Sequence, residues 1–94
     1  MAEGDLELTG EGTVRDLFRI TGHGWVVVLE EKFSGKVAVG GILESASGRA
    51  TIQGVEIVDS REGSRLKGRL GLLISETAKS LFEVGQQVRS YKQL

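Results

Sequence analysis

The chain has no cysteine, no proline and a single histidine, and its aromatic residues are three Phe, one Tyr and one Trp. Without a thiol there is no disulfide, no thiolate metal site and no cysteine nucleophile. With His23 alone, no pair of histidines can seat a metal ion, and a Ser-His-Asp arrangement has only one base to draw on. Ser34, Ser45, Ser47 and Ser64 fall in loop-like stretches without a G-x-S-x-G elbow. No apolar run approaches the roughly 18 residues of a membrane-spanning helix, and the opening MAEGDLEL is acidic where a secretory signal would be basic. These absences lead to the expectation of a cytoplasmic domain that is not an enzyme, has no cofactor, metal or nucleotide, and makes no membrane contact.

What the chain does have is glycine, 14 residues in 94, spread between short apolar runs. That spacing fits strands bent at their corners by glycine rather than a low-complexity segment. A length of 94 residues suffices for one domain with its own core. Net charge is −1, but residues 1–16 hold five acids against Arg15 alone. Residues 1–13 are therefore expected to be an acidic leader or weak edge strand, ahead of a single β domain over 14–94.

Alternation of period two dominates the rest. Val14 to Ile20 reads as a half-buried strand with Phe18 and Ile20 inward, and Gly22-His23-Gly24 as a hairpin turn. Trp25 to Leu29 is apolar on both faces. Val37 and Val39 are expected inward on a strand beginning at Lys36, after a turn at Ser34-Gly35. A short strand at Ile42-Leu43 and a long one from Arg49 to Asp59 follow. Within the latter the apolar parity passes from Ala50 and Ile52 to Val55 and Ile57 across Gly54, as an inserted bulge residue would produce. Arg65 to Ile74 and Gln86 to Tyr91 close the set. The stretch SETAKSLFEV alone has helical spacing, through Ala78, Leu81 and Phe82, with Gly85 as its stop. The resulting expectation is an all-β fold, a closed six-stranded antiparallel β-barrel with one short helical turn near residues 76–83.

Two surfaces emerge as candidates. Trp25, Val27 and Leu29 form an apolar excess suited to a protein partner or to self-association, since tryptophan is enriched at interface centres. Arg65, Lys67 and Arg69 alternate on one strand and would track the phosphates of an RNA.

The glycine pattern resembles a known family. Phe18-x-Ile20-x-Gly22-x-Gly24-x-Val26-Val27, then Gly35-x-Val37-x-Val39-Gly40, Gly54-Val55-Glu56, Leu70-Gly71-Leu72-Leu73 and Gly85-Gln86-Gln87-Val88 is similar to the second domain of elongation factor Tu and related translation GTPases. The likeness spans about residues 14–90 and implies a closed six-stranded barrel without nucleotide chemistry of its own. It also implies a role for Glu56, which stands where the family places a glutamate beside the terminal nucleotide of tRNA. Val28-Leu29-Glu30 replaces the family's Thr-Gly-Arg, and Ser75 replaces an arginine, so two cations of that site are missing here. No GxxxxGK[ST] stretch exists to wrap phosphates. The function expected is thus a binding module, acting in protein interaction or regulation, with RNA or tRNA acceptor-end binding as the alternative.

Overall fold

The computed structural model describes the backbone of residues 5–30, 33–62 and 65–94, and the side chains of these outside residues 58–68. Eight strands and one 3-10 helix follow in the order β1 (Leu6–Ile20), β2 (Gly24–Leu29), β3 (Ser34–Gly35), β4 (Ile42–Ser45), β5 (Gly48–Thr51), β6 (Gly54–Glu62), β7 (Arg65–Ile74), the helix (Glu76–Leu81) and β8 (Gln87–Gln93). All strand pairings are antiparallel, in the order β5-β4-β8-β1-β2-β7-β6, and β3 adds to β1.

The fold is all-β with one short helical element, but among the described residues it has eight strands rather than six, and no ladder joins β5 to β6. The expected strand from Arg49 to Asp59 is interrupted at Ile52 and Gln53 because consecutive amides turn to different neighbours. Ile52 N–H donates to Gly41 O at 2.9 Å, whereas Gln53 N–H donates to Leu73 O at 2.8 Å. The expected turn at Ser34 and Gly35 is instead the short strand β3, and residues 36–38 carry no regular structure.

β1 is the longest element, and two bulges let it serve two sets of neighbours. Its register with β8 slips between Leu8 and Gly10, and its register with β2 slips between Val14 and Asp16. A bulge adds one residue to one strand, so it reverses which face each later side chain occupies. This overturns the inward placement of Phe18: past the bulge Leu17 packs against the core, and Phe18 stands 36% exposed. The expected division at residues 13 and 14 falls inside this strand.

The core comprises Val14, Val27, Leu29, Leu43, Ala50, Ile52, Leu72, Ile74, Ala78, Phe82 and Val88. Burying each large aliphatic side chain contributes about 1.5–3 kcal/mol. Phe33 packs against this cluster and lies over Gly10 and Gly12 of β1. A Cβ on Gly12 would meet the Phe33 ring at 2.5 Å, so glycine there makes room for an aromatic ring. Gly24 opens β2 at φ 134°, with Ile74 O directly where a Cβ would sit.

Val37 packs against the core as expected, but Val39, in the turn at Val39-Gly40, is 65% exposed. Val55 and Ile57 lie opposite Leu72 and Leu70 and thus share the inner face. They are nevertheless 37% and 68% exposed, on the strand that ends the sheet order. Ser75 precedes the helix without a side-chain cap, and the helix is a 3-10 turn that seats Ala78 in the core. Ser45 on β4 ties it down by donating from its hydroxyl to Leu81 O.

Candidate functional surface

The expected apolar interface is interior. Val27 and Leu29 are fully buried on the inner face of β2, facing Leu72, Leu17 and Val14 across the ladders. Trp25 is half-buried against the same core, opposite Ile74, and the Lys79 ammonium sits 5.2 Å from its ring centroid. The run lies on a central strand, between β1 and β7, and its odd-numbered side chains belong to the core. Val26 and Val28, on the opposite face, are buried as well.

Of the expected cationic ladder, Arg69 has a described side chain, and it is enclosed. Arg69 is 2% exposed, with a guanidinium nitrogen 3.9 Å from a Glu30 carboxylate oxygen. Glu30 also meets Arg15 at 3.5 Å. Arg65 and Lys67 occupy alternate positions of β7 with Arg69, and their side chains lie outside the described residues. Glu56 is exposed on β6 opposite Gly71, one strand away from Arg69. His23 is exposed in its turn. Among the described residues no three His, Cys, Asp or Glu side chains come close enough to hold a metal ion.

A different group of side chains is brought together by the topology. On β8, Val88 and Ser90 point inward, which turns Arg89 and Tyr91 outward. Pairing sets Arg89 directly between Glu11 of β1 and Glu44 of β4, and Glu44 opposite Arg49 of β5. Four adjacent strands therefore carry one cross-strand row, Glu11, Arg89, Glu44, Arg49, in which the charge alternates at every step. Arg89 approaches the Glu11 carboxylate at 3.4 Å, and the Arg49 Nε donates to Glu44 at 2.7 Å. The second Glu44 oxygen accepts from the Tyr91 hydroxyl at 3.0 Å. Hydrogen bonds from Arg49 and then Tyr91 hold the Glu44 carboxyl below its ordinary range, and the Glu44 carboxylate in turn raises the Arg49 guanidinium.

Beside the charged row lies a second one, Leu8, Tyr91, Ile42 and Thr51, in the same strand order. Leu8 is 50% exposed and Tyr91 and Ile42 are half-buried. On the other flank a groove of about 480 Å³ runs past Glu11, Ser34, Glu44, Gln87 and Arg89. This surface is amphipathic, ordered by ion pairs and partly concave, and it can offer both signs of charge to a facing molecule. The alternation of Val88 and Ser90 with Arg89 and Tyr91 is legible in the sequence; that β8 sits between β1 and β4 is not.

Comparison of the chain with family models, with curated proteins and with solved structures yields no match.

Proposed function

We propose that this protein is a non-catalytic, barrel-type binding module whose task is protein interaction, carried by the outer face of β1, β8, β4 and β5. The observation behind this reading is the pair of adjoining rows: alternating charges at Glu11, Arg89, Glu44 and Arg49 beside Leu8, Tyr91 and Ile42. Charged groups in fixed alternation select partner and register, while apolar neighbours supply the area removed from water. The proposal includes closure of the sheet, supported by the two-residue joint at Ile52-Gln53 that links its end strands β5 and β6. It also keeps the likeness to the second domain of elongation factor Tu, supported by antiparallel strands and positive-φ glycines at Gly22, Gly24 and Gly85. A cytoplasmic setting belongs to the same proposal.

Binding of RNA at the acceptor end through Glu56 and the β7 cations has weaker support, because Arg69 is enclosed and Glu30 stands beside it. Phosphate binding needs cations that can reach the nucleic-acid backbone and displace its condensed counterions. Affinity capture with wild-type protein and Arg89→Glu, each with and without ribonuclease, separates the readings. Protein capture that survives nuclease and falls with Arg89→Glu is expected. Capture that disappears with nuclease and ignores Arg89 would defeat the proposal in favour of RNA.

A further inference from the structure

We propose that the partner of this face is a second copy of the chain, docked face to face about a two-fold axis. The inference rests on the reading of the face as an interaction surface and identifies what it meets. The order of charges along the row is the reason. Read from β1 to β5 it is minus, plus, minus, plus, at Glu11, Arg89, Glu44 and Arg49. Read in reverse it is plus, minus, plus, minus, so the row is its own complement.

A two-fold axis lying in the interface, parallel to the strands and passing between β8 and β4, reverses the row while keeping position along the strands. Glu11 then faces Arg49 of the other copy, and Arg89 faces the other Glu44, each contact occurring twice. The same operation lays the apolar row on itself, with Tyr91 against Ile42 and Leu8 against Thr51. Neither row needs to shift for the other to fit. Strands spaced about 4.8 Å apart put the outer members of the row about 7 Å from the axis. Facing sheets are rotated by about 30°, which displaces those ends by about 4 Å, within the reach of Glu and Arg side chains. Glu11, Arg89 and Arg49 are more than half exposed, so their charges project from the sheet toward such a neighbour.

Association is tested by sedimentation velocity at rising concentration with the wild type, Glu11→Arg, Arg49→Glu, the double variant, and an equimolar mixture of the two single variants. Wild type is expected to pass from 10.1 kDa to twice that mass as concentration rises, and less readily in high salt. Each single variant sets like charges against each other across the axis and should weaken association at least tenfold. The mixture should recover it, because the arginine introduced in one chain then meets the glutamate introduced in the other, while the unaltered Arg49 and Glu11 face each other as in the wild type. The double variant should recover it too, although it places an arginine beside Arg89 and a glutamate beside Glu44 within each chain. That internal penalty means recovery cannot come from a repaired fold, and circular dichroism of each variant checks the fold independently. A wild type that stays monomeric overturns the inference, as does a dimer indifferent to the single reversals or a mixture that fails to associate. A monomer that still captures a protein partner through Arg89 would sink self-association and leave the interaction reading standing.

Discussion

Single residues differ sharply in what they hold. Leu29 is fully enclosed between Val14 and its other core neighbours, so Leu29→Ala should cost about 2–5 kcal/mol, whereas Phe18→Ser, at a partly exposed site, should cost less than half as much. Urea titrations of the two variants make the comparison, and equal losses would contradict the register of β1 past its bulge. Glu44 gives a pH signature. Its folded-state carboxyl lies below the ordinary 4.5, so its stabilising contribution is complete above that value and fades as pH falls through the lowered one. In dilute protein, Glu44→Gln should cost less than about 1 kcal/mol at neutral pH and nothing in strong acid. The difference between the two urea midpoints should therefore shrink on acidification. A gap that widens in acid would place the proton elsewhere.

Among the elements, β1 shows how sequence-local rules meet their limit. Its glycines look like strand weakeners, yet Gly10 and Gly12 leave the space that the Phe33 ring occupies. Gly12→Ala should therefore be destabilising with Phe33 present and much less so with Phe33→Leu. The pair should be coupled by about 0.5–3 kcal/mol in a double-mutant cycle. Strict additivity would mean that the ring does not rest on β1. The period-two pattern of β1, β7 and β8 was legible in the sequence, as was the helical spacing after Ser75. The apolar run at Trp25 to Leu29 was legible too, but its meaning depended on which strands flank it. On this central strand Val27 and Leu29 face the core and Trp25 packs against it, so the run is interior.

At the scale of the whole molecule, the Ile52-Gln53 joint connects the two ends of the sheet. Proline at Gln53 would remove the donor to Leu73 O, so Gln53→Pro should cost at least about 1–3 kcal/mol. Hydrogen exchange in that variant should quicken first in β5 and β6. Unchanged protection there would argue against a closed barrel. The charged row belongs to this scale as well, since its members come from residues 11, 44, 49 and 89 and meet only because β8 returns between β1 and β4.

Alternating side chains and glycine turns are local, and by themselves they settled that the chain forms antiparallel strands with one short helical turn. Which side of each strand faces inward, and which charges become neighbours, was decided by the tertiary structure. A bulge moves parity by one residue, and past the one in β1 both parities carry apolar side chains, Leu17 and Phe18, so the shift is hidden; strand order is chosen by hydrogen bonds between segments far apart in the chain.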